Sequence, residues 1–308
     1  AATEVTTITG RAGNDTLIGD ASSTISGGAG NDTITGGTGN DTLNGGDGDD
    51  SLTTDTGTDT VSGGAGNDTV ITTDGDITSG DVITGGDGTD VLAVSETLAA
   101  ANTGGVSGFE VLRLDEATAM SMVNITGANT FAELRHGDSG GNQTITNASA
   151  DPQTITLGSD QTGETFSFAR LVGGGTTDTI TLQSATTIDA DYGNITLNDV
   201  ENFTITANGT AGTAGNAGAG GDNGDMQFAL VSSTVKSITI SGNNDVDINT
   251  AITGGTALTT VNASGQASTG TAMVTAANSI SPVTMTAGPG GSTFTGGMSN
   301  DTMTGGAG

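Results

Sequence analysis

An aliphatic residue recurs every nine positions early in the chain, at Ile34, Leu43, Leu52, Val61 and Val70. Each is bracketed by β-favouring or small polar residues, as Ile34 is by Thr33 and Thr35. Alternation along an extended backbone sends the middle side chain one way and its neighbours the other. The pattern therefore predicts one three-residue strand per unit, with its centre pointing inward. The units read GGAGNDTIT, GGTGNDTLN, GGDGDDSLT, TDTGTDTVS and GGAGNDTVI without a break from Gly27 to Ile71, and only the fourth is degenerate. Looser copies flank them. GRAGNDTLI at Gly10 puts Asp15 and Leu17 in phase, Asp81 and Ile83 follow a four-residue insertion, GGDGTDVLA at Gly85 supplies Asp90 and Leu92, and GGMSNDTMT at Gly296 supplies Asp301 and Met303.

Between Ala93 and Gly296 the nonapeptide is absent, and short runs alternate apolar residues with Thr, Ser or Asn. They are Phe109 to Leu114, Gln153 to Leu157, Thr165 to Leu171, Asp178 to Leu182, Asn194 to Leu197, Asn202 to Thr206, Val235 to Ile240, Leu258 to Val261 and Val283 to Thr286. Gly, Asn and Asp clusters punctuate them. A weak stretch near Glu96 to Ala101 is the one hint of helical periodicity. The expectation is an all-β chain in three parts: a repeat domain over 1–93, an elongated β-solenoid or sandwich-like domain over 94–287, and the start of a second repeat block over 288–308.

Composition narrows this picture. The chain has 308 residues with 54 glycines, 3% aromatic residues, and no Trp or Cys. A round globule of that length needs more large side chains to offset chain entropy, so a thin, layered core is expected. The formal charge is -30, from 35 acidic residues against 5 basic ones. Nucleic acid is excluded as a partner, because affinity for phosphate comes from Lys and Arg. An anionic membrane surface would repel the chain, and no stretch approaches the roughly 18 apolar residues of a membrane span. The first ten residues lack the basic start and apolar stretch of a secretory signal. The absence of a starting Met, and the end at Gly305 to Gly308 on the opening of another repeat, suggest a piece of something longer.

The acidic residues are ordered. Asp occupies the sixth place of each unit, at Asp32, Asp41, Asp50, Asp59 and Asp68, with Asp15, Asp81, Asp90 and Asp301 in the flanking copies. Glycines at positions one, two and four let the backbone take positive φ and bring carbonyls together without Cβ obstruction. Carbonyls plus carboxylates suit calcium, which takes six to eight oxygens in flexible geometry, better than magnesium with its strict octahedron. The candidate carbonyl donors are those of Gly28, Gly30, Gly37, Gly39, Gly46, Gly48, Gly64, Gly66, Gly86 and Gly88.

The run resembles the RTX nonapeptide G-G-x-G-x-D-x-U-x. That resemblance implies a calcium-bound parallel β-roll in which two units complete one coil and calcium sits between loops two repeats apart. Asp15, Asp32, Asp50, Asp68 and Asp90 then form one column, and Asp41, Asp59 and Asp81 the other. Ser23 holds the in-phase slot at the start of the second. At least three inter-loop sites, and about six in all, are expected. Six ions would move the charge from -30 to about -18 by adding +12. Without calcium, stacked carboxylates on a thin core favour a disordered chain.

The ordered blocks GGDGTDVL, GFEVLRL at Gly108, DVENFTI at Asp199, TVKSITISGN at Thr234 and LTTVNASG at Leu258, with the returning repeat, resemble the C-terminal half of Caulobacter-type surface-layer proteins. What that implies is type I secretion without an N-terminal signal peptide, an extracellular, cell-surface location, and calcium-dependent assembly with copies of itself. Attachment to a cell-surface polysaccharide would fall to a region outside this sequence. The chain is not expected to be an enzyme. Asp55-Thr56-Gly57 spells the aspartic-protease triplet but occurs once, inside a repeat, and His136 is the only histidine. Asn-x-Thr triplets such as Asn14-Asp15-Thr16 are by-products of the repeat. The segment from Gly209 to Asp225, with Asp222 and Asp225, reads equally as a further calcium loop or a glycine-rich insertion. Rival readings are an extender module of an RTX adhesin or filament, and a roll attached to a separate enzyme domain.

Overall fold

The computed structural model describes residues 5–73, 76–95, 105–115, 119–121, 131–136, 143–148, 153–157, 161–170, 178–184, 190–208, 226–248, 252 and 257–306. The chain divides into two compact units, Ala1–Leu134 and Arg135–Gly308. Glu96 to Ala101 and Gly209 to Asp225 lie outside the described residues. Among the described residues no helix is long and apolar enough to cross a membrane.

The first unit is a parallel β-roll. Its strands are β1 (Thr6–Ala12), β2 (Thr16–Ile18), β3 (Ser23–Ala29), β4 (Thr33–Thr35), β5 (Thr42–Asp47), β6 (Ser51–Thr53), β7 (Thr60–Ala65), β8 (Thr69–Thr72), β9 (Val82–Asp87), β10 (Val91–Val94), β11 (Val106–Ser107) and β12 (Val111–Leu114). Odd-numbered strands pair in one ladder, β1-β3-β5-β7-β9-β11, and even-numbered strands in another, β2-β4-β6-β8-β10-β12. Thr33 pairs with Ser51 and Ser51 with Thr69, so two nonapeptides make one coil of 18 residues (51 − 33, 69 − 51). The next step, Thr69 to Val91, is 22 residues because of the four-residue insertion.

Register stacks like on like. Ile25, Leu43, Val61 and Ile83 are in line on one ladder, and Ile34, Leu52, Val70, Leu92 and Leu112 on the other. All nine are buried. Each stack is therefore one aliphatic side chain wide. One such side chain per nine ordered residues is a small apolar return against backbone entropy.

Two features differ from the expectation drawn from the repeat. The even strands have the expected short core, but the odd ones run to six or seven residues, through the Gly-Gly-x of the following unit. Their continuations, Gly28, Gly46, Gly64 and Gly86, stack in register because every loop on that side starts alike. The loops following the even strands start Gly19-Asp20, Gly36-Gly37 and Thr54-Asp55, and this irregular stack does not propagate the ladder. Secondly, positive φ belongs to positions two and four, not to position one. All ten candidate carbonyl glycines take φ between 90° and 148°, while Gly27, Gly36, Gly45, Gly63 and Gly85 do not take positive φ. Arg11, at position two of the first copy, is forced to φ 104° without being glycine.

The second unit is also a parallel solenoid, which decides against a sandwich. One ladder contains Gln153–Leu157, Thr179–Ser184, Asn202–Ala207, Ser237–Gly242, Thr260–Gln266, Thr284–Thr286 and Thr302–Thr304; the other contains Gln143–Ala148, Gln161–Arg170, Ala190–Asn198, Met226–Val231, Val246–Ile248, Ala272–Thr275 and Ser292–Thr295. Coils are longer here, 35 residues from Asn202 to Ser237, and return to 18 from Thr284 to Thr302. The core widens accordingly. Phe166, Phe168, Phe203 and Phe228 are fully buried, and the Phe203 and Phe228 rings meet edge-on at 6.1 Å.

Candidate metal centre

The aspartates at position six follow a strand turn and precede the next strand by one residue, so each carboxylate is delivered to the same place in every coil. In all but Asp15, one oxygen reaches back to the previous coil. The Asp15 N–H donates to Asp32 Oδ1 (2.7 Å), Asp32 N–H to Asp50 Oδ1 (2.7 Å), Asp50 N–H to Asp68 Oδ1 (2.8 Å) and Asp68 N–H to Asp90 Oδ1 (2.8 Å). A second column runs parallel: Ser23 N–H to Asp41 Oδ1 (2.6 Å), Asp41 N–H to Asp59 Oδ1 (2.9 Å) and Asp59 N–H to Asp81 Oδ1 (2.6 Å). The structure thus brings the eight roll aspartates into two columns of five and three, with Ser23 at the head of the second.

The other oxygen has a different fate. Oδ2 of Asp15, Asp32, Asp41, Asp50, Asp59, Asp68 and Asp90 is buried with no hydrogen-bond partner. A buried carboxylate oxygen left this way costs several kcal/mol unless a cation meets it. The space beside it is shaped by glycine. A Cβ on Gly10 would stand 2.5 Å from both Asp15 Oδ2 and the Gly27 carbonyl. Glycines 27, 45, 63 and 85 repeat the arrangement: their missing Cβ would overlap Oδ2 of Asp32, Asp50, Asp68 and Asp90, and the carbonyls of Gly45, Gly63, Gly85 and Gly108. This explains position one. Its glycine keeps open the point where a carboxylate and a carbonyl of the next coil converge. The residues present fit a hard cation, and they fit calcium better than magnesium. Among the described residues no three His, Cys, Asp or Glu side chains gather into a site of side chains alone. Carboxylate and carbonyl oxygens of adjacent coils would hold the ion, and its chemistry there would be charge neutralisation and cross-linking of coils.

Not every candidate is alike. Asp81 Oδ2 accepts from Thr78 N–H, and Asp301 Oδ2 accepts from Gly297 N–H at 2.8 Å, so these two are not left open. Asp301 Oδ1 takes Val283 N–H (2.9 Å), which repeats the columnar bond in the second unit. Electrostatics mark one inner member of each column. Burial, reinforced by Asp50, Asp90 and Asp49, raises the Asp68 carboxyl from 3.8 to about 6; burial, with Asp41, Asp81 and Asp76, does the same for Asp59. Asp41, Asp50 and Asp90 are raised too, burial again being the largest cause.

The family model of the RTX calcium-binding nonapeptide repeat (4 copies) matches residues 6–23, 19–52, 53–76, 78–94 and 284–308. The chain carries RTX calcium-binding nonapeptide repeats. Calcium is therefore both what the donor set suits and what the repeat class binds. No curated protein and no solved structure matches the chain.

Several residues in these RTX columns escape the nonapeptide pattern. Glu110 continues the first column, accepting Asp90 N–H at Oε2 (2.9 Å), and Glu201 accepts Asp178 N–H at 3.2 Å in the second unit. The signal was there: Glu110-Val111-Leu112 and Glu201-Asn202-Phe203 keep the acidic residue two places before the inward one. Position five builds an outer ladder, with Asn31, Asp49, Asn67 and Thr89 N–H donating to Asn14, Asn31, Asp49 and Asn67 in turn. Asp55 of the protease-like triplet accepts the N–H of its own neighbour Thr56, as a turn residue does. The His136 side chain lies outside the described residues. Asp247 Oδ1 is buried and unpartnered in the second unit, and burial raises its carboxyl.

Two outcomes follow for calcium titration of the full chain. Asp50→Ala removes an open Oδ2 and the acceptor for Asp32 N–H, so it should weaken calcium binding at least about tenfold and disturb neighbouring sites; Asp47→Ala, at an exposed third position, should leave the titration unchanged. Equal losses would contradict the phase of the columns. The pH response has opposite signs in the two states. Because the folded carboxyls of Asp59 and Asp68 lie above the ordinary value, the calcium-free roll has their contribution in full below 3.8 and loses it as pH rises through about 6. In chelator, circular dichroism should show more β-structure at pH 4.5 than at 7.5. With calcium present, affinity should instead fall below about pH 6, as protons compete for the same oxygens.

Proposed function

We propose that this chain is a structural segment of a calcium-dependent extracellular surface layer, folding on calcium outside the cell and associating laterally with copies of itself. The observation that carries the reading is the pair of columns of buried, unpartnered carboxylate oxygens. They make the fold conditional on a divalent cation abundant outside cells and scarce within. About six ions, at least three of them between stacked loops, would reduce the self-repulsion of a chain at -30. Asp15, Asp32, Asp50, Asp68 and Asp90, with Asp41 and Asp59, are the proposed carboxylate ligands. The carbonyls of the position-two and position-four glycines, and of the position-one glycines that face the open oxygens, complete the shell. Asp81 and Asp301 would join after releasing their present backbone partners.

Lateral assembly is supported by the ordered blocks that resemble surface-layer proteins across both units, and by long parallel ladders whose outer faces are mostly Thr, Ser and Asn. Among the described residues few large apolar side chains are exposed, so contacts between copies would be polar and register-matched rather than greasy. An extender module of an adhesin or filament is the second reading, favoured by the same repeating coils.

Calcium acts here through folding and not through screening alone. Electron microscopy of the chain in calcium, in magnesium, and in concentrated sodium chloride with chelator separates these roles. Ordered sheets are expected in calcium only, since salt screens charge over roughly 8 Å but supplies no ligand to the columns. Sheets in chelated salt would contradict the account, and fibres in calcium would favour the filament.

A further inference from the structure

In the second unit one ladder turns a single chemistry outward. Register places Thr154, Thr181, Thr204 and Thr239 in line, one per coil. The row continues through Asn262 to Thr286 and Thr304. Its members are exposed or half-exposed, and the next residue along each strand, such as Ile155, Leu182, Ile205 or Ile240, is buried. The rows on either side are tied coil to coil by their side chains. Gln183 Nε2 donates to Thr156 Oγ1 (2.8 Å), Ser237 Oγ donates to Asn202 Oδ1 (2.7 Å), and the Thr206 and Ser241 hydroxyls meet at 3.4 Å. Among the described residues, Thr181, Thr204 and Thr239 of the middle row have no such tie, so their hydroxyls and methyls are free for an outside partner. None of the three rows holds an Asp, Glu, Lys or Arg, in a chain with a formal charge of -30.

Threonine suits any strand surface, but that preference acts on both ladders alike. The alternate positions of the other ladder line up Gln227, Asp247 and Met273 instead. The uniform face therefore asks for a reason beyond strand formation. A partner that fits it is uncharged over the contact and repeats at the strand spacing, about 4.8 Å along the axis, with rows about 6.6 Å apart. A second copy of this chain meets both demands with the same face. Acidic residues of these coils, such as Asp178, Glu201 and Asp301, stand just before their strands, at one margin of the face. A two-fold axis along the solenoid sets that margin against the opposite, neutral margin of the partner, so like charges do not meet.

We propose that this threonine face pairs with the same face of a second copy, coil against coil, about a two-fold axis along the solenoid. The proposal rests on the lateral association described above and assigns it to one surface of the second unit. Seven strands make the face roughly 30 Å long, and three rows make it roughly 15 Å wide. A pair would bury on the order of 1,000 Å² in total, the lower limit for a specific contact. Such a contact is weak alone and gains strength when a lattice repeats it.

Sedimentation of the full chain in calcium, at concentrations below sheet formation, tests the pairing. Thr204 lies within the middle row and faces its own copy across the axis. The unaltered chain should form a concentration-dependent dimer. Thr204→Glu and Thr204→Lys should each weaken it at least about tenfold, because like charges then stand face to face. An equimolar mixture of the two variants should restore it, which a folding defect would not allow. Thr293→Glu, at an exposed position of the other ladder, should leave the dimer unchanged. Dimers unchanged in both Thr204 variants would overturn the proposal and leave the face to another partner, a neutral polysaccharide among them. Loss in both without rescue in the mixture would overturn it too, as would equal loss in Thr293→Glu. An unaltered chain that stays single in calcium would instead sink lateral association itself.

Discussion

Asp32, Asp41, Asp50, Asp59, Asp68 and Asp90 each divide their carboxylate between two tasks, and the rest of the first unit depends on that division. Oδ1 accepts a backbone N–H from the coil before, which ties successive coils at a fixed offset. Oδ2 is left buried, and beside all of these except Asp59 stands a glycine that has no Cβ to fill the space. The first task makes the carboxylate part of the backbone ladder. The second makes it a charge that the fold alone cannot satisfy. A roll with one aliphatic side chain per unit has little apolar burial to set against such charges, and in the proposed reading its stability passes to the cation.

The second unit manages its coils by other means. Its turns are longer, its inward rows carry Phe166, Phe168, Phe203 and Phe228 among Ile and Leu, and of its described carboxylate oxygens only Asp247 Oδ1 is buried without a partner. Wider coils bury more apolar surface per turn and need less help from ions. The columnar idea persists in Glu201 and Asp301, whose side chains still accept a backbone N–H from a neighbouring coil. Charge and core thus trade places along the chain as the source of order.

How much of this is legible in the sequence depends on how strictly each feature repeats. The phase of Asp and aliphatic residues over Gly27 to Ile71 was enough to read the two columns, the inward rows and the parallel roll. Of the two reasons for glycine at position one, freedom from Cβ obstruction holds and positive φ does not, because glycine looks the same whether it supplies a conformation or a vacancy. In the second unit the reading found mainly one ladder, through runs such as Asn202 to Thr206 and Val235 to Ile240. Most of the other ladder, including Gln143–Ala148, Met226–Val231, Val246–Ile248, Ala272–Thr275 and Ser292–Thr295, went unread. Those strands are short or lie beside glycine-rich stretches, although Met226–Val231 and Ala272–Thr275 alternate buried and half-buried residues. Glu110 breaks the consensus by replacing Asp with Glu, although it keeps the acidic residue two places before the inward one.

Hydrogen exchange on the full chain, with calcium and with chelator at neutral pH, tests the dependence on the cation most directly. The account predicts that amides in the strands from Ser23 to Thr72 are protected in calcium and exchange freely in chelator. Those from Asn202 to Gly242, over the phenylalanine core, should keep protection in both. Equal protection of the Ser23 to Thr72 strands with and without calcium would contradict it, since the buried carboxylates would then be tolerated by the fold itself.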